Sequence, residues 1–339
     1  MKRKLFSIGV VYALIALVSA CASIVPTQVS TSTLTVAPAL LPSFGKTLAT
    51  ITVGNGPAYL TVGEGAVWVP NADDGTVSRI DPQTNRVSAT IKIGKGGGQY
   101  GSPLAVAVKT GTLWVTDNAG KAIVRIDPKT NQIVTTIPLE TVPYRLSVAD
   151  GDVWVTALDA NEVIRIDSST NAVITTIHVP SPTGIWADTE AIWTSNHRAG
   201  TVSRIDPKTN QVIATIDVPG DKPDAIAVGE GAVWVTDSAN GTVSRIDPKT
   251  NQVIATTPSV GYVANGIAVG ESGVGVTAVQ NDEVTWIDST TNQIVGVWSI
   301  PPHDAQSPYI GAIGIAIGEG SIWIAPAWGN MIWRVDPTL

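Results

Sequence analysis

An internal repeat, typified by GAVWVTDSANGTVSRIDPKTNQVIAT at 231–256, constrains the fold of this chain more than any other feature. A tryptophan, typically as V-W-V, anchors six of the copies, and an arginine follows it eleven residues later; Gly275 and Trp286 hold these two places in the sixth copy. The anchor positions are Trp68, Trp114, Trp154, Trp193, Trp234, Gly275 and Trp323, which makes seven units in one register. A repeat period is decisive because it sets the architecture of the whole chain.

Each unit divides into four short strands separated by turns. In the fifth unit these segments are 225–228, 232–236, 242–246 and 252–256, rich in β-branched and apolar residues. Gly-Glu-Gly, Asn-Gly and Asp-Pro sequences separate them, and such sequences are typical of hairpin turns. The pattern predicts an all-β, seven-bladed β-propeller with four antiparallel strands per blade.

The two ends of the repeat region complement each other. The seventh unit stops at Leu339, before a fourth strand, while LATITV at 48–53 matches the fourth strand IATIDV at 213–218. The segment at about 47–53 is therefore predicted to complete the last blade, which closes the ring and protects the sheet edges.

The N-terminus has the pattern of an export signal. Lys2, Arg3 and Lys4 precede an apolar run at 5–18, and VSAC at 18–21 resembles the lipobox of bacterial lipoproteins. Cys21 is the only cysteine of the chain; the alternative is a free thiol at an ordinary cleavage site. We expect 1–20 to be a signal peptide and Cys21 to be lipidated. The protein would then be exported and lipid-anchored to a bacterial membrane, at the cell surface or in the periplasm.

Residues 21–45 are rich in Thr, Ser, Pro and Val, a composition typical of an extended tether. The propeller is expected to occupy 46–339. The chain carries a net charge of −7 and has no Lys/Arg cluster beyond its N-terminus. This charge balance disfavours nucleic acid as a partner. We expect a monomer whose partner is a small molecule, a peptide or a protein.

Two connections between blades, at 94–102 and 301–310, are longer than the others. Both join an outer strand to the next inner strand, so both emerge on one face of the ring. They contribute Tyr100, His303 and Tyr309 as candidate ligand-binding residues. Extra loop on one face of a repeat scaffold often forms a binding surface, whereas the alternative is a tolerated insertion, because long loops cost little.

The recurring tryptophans, arginines and Asp-Pro pairs have structural and functional interpretations. The tryptophans could form a stacking platform, but their place within apolar strands favours packing between blades. The arginines could form an anion-binding ring, although pairing with an Asp or a carbonyl of their own or the adjacent blade is favoured. The Asp-Pro pairs are turn starters.

Oxygen-bearing side chains recur where the second strand of a blade leaves the sheet. Asn71, Asp117, Asn196 and Asp237 hold this position. They are the candidate ligands of a divalent cation, Mg²⁺ or Ca²⁺, because such ions prefer oxygen ligands. The alternative is that each side chain closes its own hairpin in an Asx turn.

Residues that begin the first strands mark the mouth of the central channel. Tyr59, Tyr144, Arg145, Asp224 and Asn265 differ from blade to blade, as a binding site on a pseudo-symmetric ring requires, so they are candidate ligand-binding residues. Neutral drift would give the same variation. His197, in the channel-side hairpin of the fourth unit, is the candidate general base; the alternative is a solvated loop histidine.

The repeat P-x-x-I-A-V-G-x-G-x-V-W-V-T, followed by T-V-S-R-I-D-P-x-T-N, resembles the YVTN-type, YncE-like surface propellers. It is also similar to the virginiamycin B lyase (streptogramin lyase) family. The second resemblance implies a Mg²⁺-dependent eliminative C–O cleavage of a cyclic depsipeptide. It further implies a histidine directly after the proline that begins a late blade, and glutamates shortly after the anchor.

This chain departs from that catalytic pattern. The residues at the histidine position are Ala58, Leu104, Tyr144, Thr183, Asp224, Asn265 and Ile313. The acidic residues three places after the anchor are Asp117 and Asp237, not glutamates. Two functions therefore stay open. The favoured one is a binding or scaffold protein that uses the long-loop face. The alternative is a metal-dependent lyase or lactonase with His197 as its base.

Overall fold

The computed structural model describes residues 43–97, 101–271, 273–280, 282–301 and 311–338. In these ranges, seven four-stranded antiparallel sheets form the blades of a propeller, as the repeat predicts. The described residues include no helix long and apolar enough to cross a membrane.

Within each blade, the first-named strand borders the channel and the last-named strand lies at the outer rim. Blade 1 contains β2 (Thr61–Gly63), β3 (Ala66–Asn71), β4 (Thr76–Asp81) and β5 (Arg86–Lys92); blade 2 contains β6 (Val106–Lys109), β7 (Thr112–Asp117), β8 (Ala122–Asp127) and β9 (Gln132–Pro138). Blade 3 contains β10 (Leu146–Ala149), β11 (Asp152–Ala157), β12 (Glu162–Asp167) and β13 (Ala172–His178); blade 4 contains β14 (Pro182–Ala187), β15 (Ile192–Asn196), β16 (Thr201–Asp206) and β17 (Gln211–Asp217). Blade 5 contains β18 (Pro223–Gly229), β19 (Ala232–Asp237), β20 (Thr242–Asp247) and β21 (Gln252–Thr256); blade 6 contains β22 (Ala264–Gly270), β23 (Gly273–Ala278), β24 (Glu283–Ile287) and β25 (Ile294–Ser299). Blade 7 contains β26 (Ala312–Gly318), β27 (Ser321–Pro326), β28 (Met331–Val335) and β1 (Thr47–Thr52).

The ring closes through β1, which pairs antiparallel with β28 as its outer neighbour. The predicted closure by the segment at about 47–53 is confirmed. Just before β1, the Phe44 N–H donates to the Val297 carbonyl of blade 6 at 3.0 Å. The Phe44 ring lies 5.1 Å from that of Trp286. The start of the described chain thus joins blades 6 and 7.

The first strand of each blade packs against the first strand of the next, and these strands surround the channel. In blades 5 and 7 the approach is so close that glycine is required where the first strand ends. A Cβ on Gly229 would lie 2.6 Å from Val269, and one on Gly318 would lie 2.6 Å from Val62. No side chain fits at these distances, so the Gly-Glu-Gly turns serve packing as well as chain reversal.

Arginines and tryptophans hold adjacent blades together, and the predicted packing roles of both are confirmed. The guanidinium of Arg204 lies 5.1 Å from the ring centre of the buried Trp193 in its own blade. Its Nη1 donates to the Pro248 carbonyl at 2.8 Å and to Asn251 Oδ1 at 3.0 Å, both in the Asp-Pro turn of blade 5. Asn251 has a φ of 56°, a conformation that asparagine tolerates better than most residues. We call this arrangement the inter-blade clasp.

The clasp also closes the ring, because Arg334 of blade 7 donates to the Pro82 carbonyl and to Asn85 in the turn of blade 1. The Asp-Pro turns themselves form as predicted. The Asp206 carboxylate, for example, accepts the N–H of Lys208 at 2.8 Å.

Blade 6 breaks the pattern. Gly275 stands where the other blades have tryptophan, and it pairs across the strands with Trp286, which stands where they have arginine. A Cβ on Gly275 would lie 2.7 Å from the Trp286 ring. Trp286 therefore fills the space of the missing anchor, and the seam between blades 6 and 7 has no clasp arginine from blade 6.

Candidate functional site at the mouth of the channel

The two faces of the ring differ in what they carry. The connections between blades and the hairpins between second and third strands lie on one face, which we call the connection face. The Gly-Glu-Gly and Asp-Pro turns lie on the other, which we call the turn face. Tyr59, Arg145, Asp224 and Asn265 come from blades 1, 3, 5 and 6 and meet at the channel mouth on the connection face. We call these four residues the channel network.

Hydrogen bonds link all four members of the channel network. Arg145 Nη2 donates to Tyr59 Oη at 2.6 Å and to Asp224 Oδ1 at 3.3 Å. Tyr59 Oη donates to Asn265 Oδ1 at 2.7 Å, and Asn265 Nδ2 donates to Asp224 Oδ2 at 2.6 Å. The Arg145 guanidinium also lies 3.9 Å from the Tyr59 ring centre, within the range of a cation–π contact. The network therefore spans the channel from four blades.

Burial fixes the charge states of this network. It raises the pKa of the Tyr59 phenol above its usual value and raises that of Tyr144 well above it, so both phenols stay neutral at neutral pH. Burial lowers the pKa of Arg145, but Asp224 and the two tyrosines offset this and raise it overall. Arg145 is thus a buried cation paired with the Asp224 carboxylate, with side chains 9% and 6% exposed.

A pocket of about 360 Å³ lies above the channel network on the connection face. We call it the mouth pocket. Its lining comprises Tyr144, Leu158, Thr183, His197, Lys222, Asp224, Ser238, Ala239, Val263 and Asn265. A separate cavity of about 170 Å³ extends along the first strands and shares Tyr59 and Arg145 with the network. The network therefore stands between the mouth pocket and the interior of the channel.

His197 contributes an imidazole ring to the mouth pocket. Its Nδ1 lies 3.2 Å from the Pro223 carbonyl, so this nitrogen acts as the donor and the neutral ring keeps Nε2 as an acceptor. The half-buried imidazole can accept a hydrogen bond, or a proton, from a bound molecule. The repeat register places His197 at the channel-side hairpin, and the structure brings it beside Tyr144, Asp224 and Asn265.

The four candidate metal ligands are engaged in their own hairpins. Asp117 Oδ1 accepts the Gly120 N–H at 3.0 Å, and Asp237 Oδ1 accepts the Asn240 N–H at 2.6 Å. Asn71 Nδ2 donates to Ser78 at 2.9 Å, and Asn196 donates in the same way to a serine of its own hairpin. The aspartate contacts correspond to the Asx-turn alternative. The two asparagines do not form Asx turns, because only their Nδ2 groups are bonded and their buried Oδ1 atoms have no hydrogen-bond partner among the described residues.

This donor set does not fit one shared cation. Both carboxylates are committed to backbone N–H groups of their own blades. Within the described ranges, no three His, Cys, Asp or Glu side chains are grouped so that they could hold a metal ion.

Four other predicted residues lie outside the described part of the chain. They are Tyr100, His303, Tyr309 and Cys21. Sequence reasoning in turn missed Lys222 and Ser238, which line the mouth pocket beside His197. Their positions carried a usable signal, because Lys222 directly precedes the proline that begins β18 and Ser238 directly follows the end of β19. Both positions lie on the connection face in every blade.

Fold and site together define a seven-bladed β-propeller with a polar pocket at the mouth of its channel. The sequence matches the model of the virginiamycin B lyase family over residues 46–331, and the chain belongs to that family. A search of curated proteins found no match.

Solved structures share the fold at 20% identity. A streptogramin B lyase has a TM-score of 0.71, covering 86% of this chain and 96% of that one. Selenomethionine-substituted virginiamycin B lyase from Staphylococcus aureus has a TM-score of 0.72, covering 87% and 100%. A catalytically inactive histidine-to-alanine variant of that lyase, crystallised with quinupristin, has a TM-score of 0.70, covering 87% and 98%. At this identity the likeness concerns the fold alone.

Proposed function

We propose that this chain is a binding protein of the virginiamycin B lyase family that takes a polar ligand, or a polar group of a larger partner, into the mouth pocket. The observation that carries the proposal is the state of the Asp224 carboxylate. It is held by Arg145 at 3.3 Å and by Asn265 at 2.6 Å. A carboxylate committed to a buried cation is a poor general base, because taking up a proton would leave that cation unpaired.

The chemistry of the pocket favours a ligand with acceptor or anionic groups. The exposed Lys222 ammonium supplies a positive charge at the rim, and the charges of Arg145 and Asp224 cancel beneath it. Tyr144, Leu158 and Val263 add an apolar wall. A few placed polar groups within an apolar surround are typical of small-molecule sites.

The cellular setting belongs to the same proposal. The lipobox-like VSAC at 18–21 and the basic, apolar segment before it support export and a lipid anchor at Cys21. The acidic chain and the Thr/Ser/Pro-rich segment at 21–45 support a tethered propeller that meets its partner outside the cytoplasm, at the cell surface or in the periplasm.

A ligand screen tests the binding proposal. Small acidic, neutral and basic fragments would be tested by ligand-observed NMR, and we expect saturable binding of acidic or neutral ones. His197→Trp, which fills the pocket, and Lys222→Ala should weaken these hits. His178→Ala is the matched control, because His178 is exposed on the outer strand of blade 3. Hits that survive both pocket variants, or the absence of hits, would overturn this location of the site.

The second candidate is a lyase, favoured by His197 in the pocket and by the lyases with the same fold. In that case His197 would act as the base of an elimination. Quinupristin with Mg²⁺ is the probe, and chromatography would show its conversion. Conversion abolished by His197→Ala but kept by His178→Ala would establish the lyase. Unchanged quinupristin together with fragment binding would leave the binding function.

A further inference from the structure

The turn face carries a second concave site, at the seam between blades 6 and 7. It has a volume of about 960 Å³, within the range of small-molecule pockets. Its floor is apolar and is formed by the half-buried Val269 and Ile317, with the fully buried Trp286 beneath them. Glu230 and Glu271 stand on its exposed rim. We call it the seam cleft, and it is separate from the mouth pocket on the opposite face.

The departure of blade 6 from the repeat explains why the cleft opens here. At the seams on either side, a clasp arginine reaches the next blade: Arg245 donates to Asn292 at 3.1 Å, and Arg334 donates to Asn85 at 2.9 Å. Trp286 holds the arginine position between blades 6 and 7, and its ring is drawn inward over Gly275. The volume that a guanidinium occupies at the other seams is left open.

The charged side chains that line the cleft are both glutamates, Glu230 and Glu271. Because blade 6 has Trp286 in place of the clasp arginine, this seam lacks that cation. The glutamates of the Gly-Glu turns of blades 5 and 6 are still present. Arg334 Nε donates to Ser321 on the cleft wall at 2.8 Å, but its Nη1 is committed to the turn of blade 1. The far wall is formed by Pro337 and Thr338 of blade 7.

We propose that the seam cleft binds a small amphipathic organic cation, an ammonium group carried on an aryl or alkyl body. The body would replace water on the floor formed by Val269 and Ile317. The ammonium would lie at the rim between Glu230 and Glu271. Apolar burial supplies the affinity, and the two carboxylates select the charge of the ligand.

A matched series of probes tests both parts of the inference. 4-Phenylbutylamine, 4-phenylbutanol and 4-phenylbutyrate share one body and differ in charge. Titration calorimetry with the full chain should give the order amine, then alcohol, then carboxylate. Amine binding should weaken as NaCl is raised, because exposed charge pairs are screened.

Variants locate the site. Glu230→Gln together with Glu271→Gln should weaken the amine about fivefold to tenfold, as expected for two exposed ion pairs, and leave the alcohol unchanged. Asp150→Asn is the control, since Asp150 holds the equivalent turn position in blade 3, away from the seam. His197→Trp should have no effect, which separates this inference from the mouth pocket.

Three results would overturn the inference. They are the absence of amine binding at millimolar concentration, equal binding of amine and carboxylate, and amine binding that the double glutamine variant leaves intact. An unchanged melting temperature of that variant would confirm that any loss of binding is not a loss of folding.

Discussion

The Arg145–Asp224 pair in the channel network gives the sharpest prediction about what holds the mouth of the channel together. Its two side chains are 9% and 6% exposed, so removing one partner leaves the other as a buried, unpaired charge. Arg145→Met and Asp224→Asn are each expected to lower the free energy of unfolding by about 3–5 kcal/mol. That is a large share of the ~5–15 kcal/mol that stabilises a typical domain.

The double variant should lose far less than the sum of the two single losses. Replacing both charges removes the desolvation cost together with the attraction, so its loss should be about 0–2 kcal/mol. Urea unfolding of the wild type, both single variants and the double variant completes a double-mutant cycle. Arg198 and Asp159 form the control cycle, because they pair at 3.2 Å with side chains 62% and 45% exposed. Such a surface pair contributes about 0–1 kcal/mol.

A channel cycle that resembled the surface cycle would contradict the assignment of Arg145 and Asp224 as a desolvated pair. Losses below about 1 kcal/mol for Arg145→Met would mean that water reaches the pair as readily as it reaches Arg198. Additive losses in the double variant would mean that the two side chains stabilise the ring independently and not as a pair.

Two further predictions concern the turn face. Arg334→Met removes two charge-assisted hydrogen bonds to the turn of blade 1 and should cost about 2–4 kcal/mol in urea unfolding; a loss as small as that of Arg198→Met would contradict the clasp. Hydrogen bonds from Ser169 and Thr170 lower the pKa of Asp167 from 3.8 to about 2. A depressed carboxyl pKa stabilises the fold above pH 3.8, and this contribution is lost as pH falls towards 2. The stability difference between wild type and Asp167→Asn should therefore be constant above about pH 4 and shrink below it; a difference independent of pH would show that the turn bonds do not depend on the charge.

The sequence by itself determined the blades, their number and the closure of the ring. It could do so because each strand is specified by local signals that recur in register, such as the V-W-V anchor and the Asp-Pro turn. The structural roles of Trp193, Arg204 and their equivalents were predictable for the same reason. Their partners recur at fixed repeat positions, as in the bond of Arg204 to Asn251.

Only the tertiary structure decided which of the symmetry-breaking residues meet. The sequence placed four residues at the channel mouth, where the first strands begin on one face of the ring: Tyr59, Arg145, Asp224 and Asn265. It did not show that the Arg145 side chain crosses the channel and neutralises Asp224. Such a contact depends on side-chain length and on the curvature of a closed ring, and it joins residues far apart in the chain. The seam cleft is likewise a product of the tertiary structure. The sequence shows that blade 6 has Gly275 and Trp286 where the other blades have tryptophan and arginine. The space that this exchange opens appears only when blade 7 is packed beside blade 6.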